Sequence, residues 1–261
     1  MRRRLPIAVL VLALLGGAVV VVPVLALAAR VPWGRLLDTL TGEGASAALR
    51  VSLEVSAAAT VLSVLLGVPL AWVLARAQFR GRSLVRAMVV LPIVLPPVVA
   101  GVGLLAALGR RGLIGGWLDR VFGVQLTFST AGAIVAATFV SMPLVILAAE
   151  AGFRGLDPRY EQAAAVLGAS PGYTLRRVVL PMAAPQLVAG AVLAWARALG
   201  EFGATITFAG NLQGRTQTLS LLVFQQLQTD PEGAIALSLL LVVVSITVLV
   251  TLRNRWITGV G

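Results

Sequence analysis

Gly155-Leu-Asp-Pro-Arg-Tyr-Glu-Gln-Ala-Ala-Ala-Val-Leu-Gly-Ala-Ser-Pro-Gly-Tyr-Thr-Leu-Arg-Arg-Val-Val-Leu-Pro181 separates two long apolar runs and carries two helix starts in quick succession. Asp157 is a good N-cap with Pro158 at the first helical position, and Gly168 suits the left-handed residue that closes a helix. Ser170 and Pro171 repeat the start signal, so a second helix is expected to about Val179, with Pro181 as its stop. The stretch therefore reads as a helix–turn–helix knob between two apolar segments. Its first helix offers a small face of Ala163, Ala164, Val166 and Leu167, flanked by Arg159, Glu161, Arg176 and Arg177. Such a face suits docking into a groove on a partner.

Outward from the knob the chain is apolar. It has 261 residues, 59% of them hydrophobic and 12% charged, where a soluble domain carries about 25% charged residues. Runs of roughly 18 or more apolar residues mark bilayer spans, and six are expected, at 5–29, 51–75, 84–108, 130–150, 183–207 and 233–252. The loops between them are too short for a soluble domain of about 50 residues. The expected fold is an all-α membrane protein with six transmembrane helices. The first run follows a basic start and resembles a signal peptide. Its length exceeds the usual h-region of about 7 to 15 residues, so it is expected to stay as an uncleaved anchor.

The net charge is +11, and all 21 basic residues are arginine; lysine, histidine and cysteine are absent. That excludes a P-loop, a Schiff base, thiol nucleophiles and zinc or haem ligation by those side chains. No catalytic and no metal-binding set survives. Any use of nucleotide energy must then reside in another chain. A basic excess also suits nucleic acid, but here the arginines sort by topology. With the N-terminus inside, Arg2, Arg3, Arg4, Arg76, Arg80, Arg82, Arg86, Arg154, Arg159, Arg176, Arg177, Arg253 and Arg255 lie on the cytoplasmic side. Arg30, Arg35, Arg50, Arg110, Arg111, Arg120 and Arg215 lie outside. Cytoplasmic enrichment in Lys and Arg predicts that both termini are cytoplasmic and speaks against a nucleic-acid partner. A DNA-binding helix–turn–helix is disfavoured too, because the knob lacks a third helix.

Within the spans, Leu91-Pro92-Ile-Val-Leu-Pro96-Pro97-Val-Val-Ala-Gly101 should kink and pack inside the bundle, where freed carbonyls find partners. Arg197 and Glu201 interrupt the fifth span. A charge at the bilayer centre costs roughly 2.5 to 3.5 kcal/mol, so the two should face each other or water, and a spacing of four lets them pair. Thr205 and Thr207 follow, with hydroxyls suited to an oxyanion. Arg50 and Glu54 are expected to pair at the membrane surface, and Glu150 is placed at a cytoplasmic helix end without a role. No internal repeat is visible, which weakens a secondary carrier built from two halves and leaves a central pathway to two copies of the chain.

The knob resembles the EAA loop of ABC-transporter permeases, Glu-Ala-Ala-x3-Gly-x9-Ile-x-Leu-Pro. Here Gln162-Ala163-Ala164, Gly168, Val178 and Leu180-Pro181 keep that spacing, with Gln162 at the usual glutamate, Glu161 one residue early and Val178 at the usual isoleucine. Leu91 to Gly101, Glu161-Gln-Ala-Ala, Ala196-Arg-Ala-Leu-Gly-Glu-Phe-Gly-Ala-Thr-Ile-Thr-Phe-Ala-Gly-Asn211 and Gly214-Arg-Thr-Gln-Thr218 are similar to the molybdate permeases of that family. The resemblance implies a type I ABC importer transmembrane domain over 46–252, preceded by an anchor and external loop (1–45) and followed by a tail (253–261). It implies ATPase coupling through Glu161, Gln162, Ala163, Ala164, Gly168, Ala169, Leu180 and Pro181. The expected pathway residues are Pro96, Pro97, Arg197, Glu201, Thr205 and Thr207. It further implies a homodimer, two cytoplasmic ATPase subunits that use ATP and magnesium, and an extracytoplasmic oxyanion-binding protein. The chain itself is expected to be no enzyme, to bind no cofactor and to carry molybdate, with tungstate or sulfate/thiosulfate as alternatives.

Overall fold

The computed structural model describes residues 6–257, and side chains as far as residue 250. Arg2, Arg3 and Arg4, the side chains of Arg253 and Arg255, and the end of the expected tail lie outside that description. The chain starts with α1 (Ile7–Ala29), passes through a 3-10 turn (Trp33–Arg35) into α2 (Leu36–Thr41), and enters the bundle as α3 (Glu43–Arg76). Then come α4 (Arg82–Val94), α5 (Pro97–Leu108), α6 (Gly115–Phe122), α7 (Thr130–Gly155) and α8 (Arg159–Val166). They are followed by α9 (Pro171–Thr174), α10 (Leu180–Leu199), α11 (Gly203–Phe208), α12 (Leu219–Gln226) and α13 (Pro231–Ile257).

Among the described residues, five helices have the length and apolarity to cross a membrane: α1, α3, α7, the run Pro171–Leu199, and α13. The pair α4 and α5 completes six when counted as one broken span. That pair departs from the single kinked span expected over 84–108, because the helix bends by 120°. The cause is local. Leu95 and Pro96 each precede a proline, which disfavours the helical region, and their ψ angles are 136° and 135°. Two successive residues in extended conformation turn the chain instead of kinking it. The second span also starts earlier than expected, at Glu43 instead of about residue 51.

Pro181 does not stop the helix that begins at Pro171. The chain widens into a π turn at Leu175–Val179 and continues to Leu199. A proline inside a helix removes a donor and clashes with the carbonyl four residues back, and a wider turn directly before it accommodates the ring. The knob is thereby joined rigidly to the fifth span.

The core is made of small residues, as membrane interiors require when helix packing replaces a hydrophobic driving force. Ala59, Ala133 and Ala137 sit between α3 and α7 with no exposure, and the hydroxyls of Ser63 and Ser141 meet across the same interface at 3.2 Å. At Gly190 an added Cβ would lie 2.8 Å from the Ala148 Cβ, which sets how closely α10 approaches α7. At the end of the bundle near the knob, Glu150, with a side chain 6% exposed, pairs with Arg86 of α4 and, at 2.9 Å, with Arg154. This residue, unassigned from sequence, ties the broken span to α7. Arg50 and Glu54, by contrast, form no ion pair among the described residues. Both are exposed, and water leaves such i,i+4 pairs little net energy.

Candidate functional site

The knob is built by local capping. Asp157 Oδ1 accepts the Arg159 N–H at 2.9 Å and so starts α8. At its other end Gly168 takes φ +81°, with Gly168 N donating to Ala165 O and Ala169 N to Ala164 O. This pair of bonds is the Schellman closure, which needs a residue free of the Cβ penalty at the left-handed position. Ser170 Oγ then accepts the Tyr173 N–H at 3.3 Å, and the next helix begins at Pro171.

Each expected coupling residue has a definite place. Glu161 turns inward: its carboxylate pairs with Arg76, the last residue of α3, at 2.5 Å, with both side chains about one-quarter exposed. Gln162, Ala163 and Gly168 are exposed, whereas Ala164 and Ala169 are half-buried. Leu180 packs into the core formed by Leu74, Ile146 and Phe153. Pro181 sits on the exposed side of the first turn of α10. Leu180 thus roots the knob in the bundle, and neither it nor Pro181 lies on the tip.

The tip is apolar. Val166 and Leu167 are each 87% exposed, and Tyr173 58%. Leu167, Gly168, Ser170 and Tyr173 line a concavity of about 660 Å³ with Ala164, Ala169 and Val178. Two exposed aliphatic side chains at the C-terminal end of α8 form the most apolar part of the face.

In the interior, the long helix ends at Leu199, and Gly200 and Phe202 carry the chain into α11. Arg197 and Glu201 do pair, at 2.5 Å, with the Glu201 side chain 2% and the Arg197 side chain 37% exposed. The second Glu201 oxygen accepts the Ala204 N–H at 2.8 Å, so one carboxylate neutralises an arginine and starts the next helix. α11 packs against α5 through two glycines. A Cβ on Gly203 would lie 2.5 Å from the Pro97 Cβ, and one on Gly101 would lie 2.5 Å from the Thr207 Cβ.

The proline break and the Arg197 to Thr207 segment, far apart in sequence, are therefore one structural unit. The two threonines differ. Thr207 Oγ1 donates to Gly203 O at 2.8 Å. Thr205 is 1% exposed and its hydroxyl has no hydrogen-bond partner among the described residues.

Residues 63–258 match the family described as binding-protein-dependent transport system inner membrane component. The molybdenum transport system permease protein ModB of Mycobacterium bovis is 49% identical over 243 residues, 93% of this chain and 92% of its own length. The protein of that name in Escherichia coli is 39% identical over 165 residues, 63% of this chain and 72% of its own. The sulfate transport system permease protein CysT of Escherichia coli is 38% identical over 162 residues, 60% and 58% respectively. Among solved structures, a bacterial ABC transporter that imports alginate superposes with a TM-score of 0.73 at 16% identity, over 96% of this chain and 94% of that one. That likeness shows the fold that this chain shares with a chain of that transporter.

Proposed function

We propose, on the premise that the chain belongs to the family of binding-protein-dependent transport system inner membrane components, that it is the permease subunit of an ATP-driven importer for molybdate. The observation that carries the coupling is the exposed Val166 and Leu167 tip on a capped helix rooted in a membrane span. Molybdate is supported by the 49% identity to ModB over nearly the whole of both chains. The tip docks into a cleft of a cytoplasmic ATPase, two copies of which hydrolyse ATP with magnesium below two copies of this chain. An extracytoplasmic binding protein delivers the anion from the other side, and both termini of the permease are cytoplasmic.

A push at the tip would reach the proposed pathway along one helix. The helix Pro171–Leu199 runs for 29 residues, roughly 40 Å at 1.5 Å per residue, and its last turn carries Arg197, beside Glu201 and the α5–α11 contact. A displacement of the knob is thus transmitted along one rod to the place where Gly203 rests on Pro97. Arg76 and Glu161 give the same displacement a second route, into α3.

These two are positioning residues, and their role has its own prediction. Arg76→Glu, which sets two carboxylates face to face, is expected to lower the molybdate moved per ATP hydrolysed. Arg76→Glu combined with Glu161→Arg should restore it. The half-screened pair is worth about 1 kcal/mol, so the single change reads as roughly a fivefold loss; equal coupling ratios in single and double variants would show that the pair carries no motion.

Substrate is tested in proteoliposomes holding the chain with its ATPase and binding protein. ATP-dependent molybdate accumulation, with tungstate as a competitor, is expected. Transport of sulfate, with molybdate neither transported nor competing, would move the chain to the sulfate permeases. Uptake without any ATPase would make it an ion-gradient carrier.

A further inference from the structure

Between Leu108 and Ser129 the chain leaves the bundle and forms α6, a helix that the transport reading does not use. Leu113 N donates to Ala106 O and Ile114 N to Ala107 O, folding α6 back over the end of α5. The turn is tight enough that a Cβ on Gly115 would meet the Leu108 carbonyl oxygen at 2.2 Å. The helix is short and strongly two-faced. At 100° per residue, Trp117, Leu118, Val121 and Phe122 cluster on one side while Asp119 and Arg120 fall on the other.

The apolar side is uncovered. Leu113 is 91% exposed, Trp117 50%, Val121 55% and Phe122 62%, with the Trp117 and Phe122 rings edge to face at 5.4 Å. On the opposite side, Arg110, Arg111, Gly112, Gly116, Asp119 and Arg120 line a concavity of about 600 Å³. Its charges are only partly answered from within. Asp119 pairs with Arg110 at 3.2 Å and accepts from Gln125 at 3.0 Å; the Gln125 bond foremost, and Arg110 beside it, hold its carboxyl below the usual range, so it stays ionised. Arg120 Nε donates to Gly116 O, which satisfies a donor but not the charge. Arg111 has no ion-pair partner among the described residues. Three guanidinium groups against one carboxylate leave the concavity doubly positive.

We propose that α6 is an interfacial anchor, lying in the headgroup layer beside the amino-terminal end of α7 and binding an anionic lipid through Arg110, Arg111 and Arg120. An amphipathic helix with Trp and Phe on one side and arginine on the other settles at the boundary of headgroups and acyl chains. Guanidinium forks match phosphate oxygens. The chain on either side supports this depth, because α5 and α7 are membrane-embedded and α6 is hydrogen-bonded to the end of α5. The apolar and basic faces point in opposite directions, as a bilayer surface requires. A protein partner seated on one face would leave the other unused. The inference is independent of which anion the protein transports.

The test uses the full chain in nanodiscs of phosphatidylcholine, with or without phosphatidylglycerol. Trp117 is isolated as the difference between the parent protein and Trp117→Phe. Its emission is expected to be blue-shifted and quenched by lipids brominated on the acyl chain close to the headgroup. Replacing Arg110, Arg111 and Arg120 together by Gln should lower the phosphatidylglycerol retained on the purified protein several-fold by native mass spectrometry, with phosphatidylcholine unchanged. The corresponding triple Lys variant should retain most of it. All three side chains are exposed, so unchanged thermal unfolding is expected and checks that the fold persists. The proposal is overturned by a Trp117 signal that bromine does not reach, by one that shifts only when a second protein is added, or by equal phosphatidylglycerol retention in the Gln variant.

Discussion

Leu167→Asp is expected to abolish ATP-driven uptake while leaving the membrane bundle intact. Leu167 is 87% exposed in the isolated chain, so the substitution removes no contact that holds the fold. It lies one residue before Gly168 and alters none of the backbone bonds that close α8. In the proposed complex with the ATPase the same side chain would be buried. Burying a leucine contributes about 1.5 to 3 kcal/mol, and a carboxylate forced into the same apolar contact adds an unpaired charge. At about 1.4 kcal/mol per decade, the lost burial alone weakens docking about 10- to 100-fold, and the unpaired charge weakens it further. Retention of the ATPase on the purified permease measures this, with thermal unfolding as the control. Val166→Asp should behave alike, whereas Gln162→Ala, beside the tip but not on it, should cost far less. An ATPase that stays bound to the Leu167→Asp variant with uptake unchanged would put the docking face elsewhere.

The second large effect lies at the Arg197–Glu201 pair, and it is asymmetric. Glu201 is buried while Arg197 reaches toward open space. Removing one partner of a buried ion pair costs about 3 to 5 kcal/mol, because the other is left uncompensated. Arg197→Ala strands the buried carboxylate and should approach that full range. Glu201→Ala strands an arginine that is 37% exposed and can turn to water, which lowers the electrostatic loss to roughly 2 kcal/mol. It also frees the Ala204 N–H, worth about 1 kcal/mol more. The double alanine variant should be less destabilised than the two single losses added together. Thermal unfolding of the four proteins in one lipid or detergent decides the matter. Additive losses, or a milder effect of Arg197→Ala than of Glu201→Ala, would mean that the carboxylate is not the buried partner that governs this joint.

Much of the machinery is local and was therefore readable from the residues in order. Asp157, Gly168 and Ser170 act on backbone groups two to five positions away, so the knob follows from the sequence around it. The partnership of Arg197 with Glu201 follows from one helical turn. The prolines predicted a kink in the third span, and the structure has a 120° break there instead. A single proline kinks a helix, whereas Leu95 and Pro96 in succession adopt extended backbone and reverse much of its direction. The stop expected at Pro181 failed for a related reason, since a π turn absorbs the ring and lets the helix run on.

By itself the sequence determined the membrane class, the approximate positions of the apolar runs, the place of the knob and the absence of a P-loop lysine, because these depend on composition, run length and caps. Only the tertiary structure decided what meets across the chain. Glu161 turns to Arg76 instead of outward, Glu150 holds Arg86, Gly203 rests on Pro97 and Gly101 on Thr207. It also decided that Val166 and Leu167 are presented while chemically similar residues are buried. Exposure and long-range contact depend on how helices approach one another, and in a bundle of small residues that approach is set by steric fit between positions far apart, which no local pattern encodes.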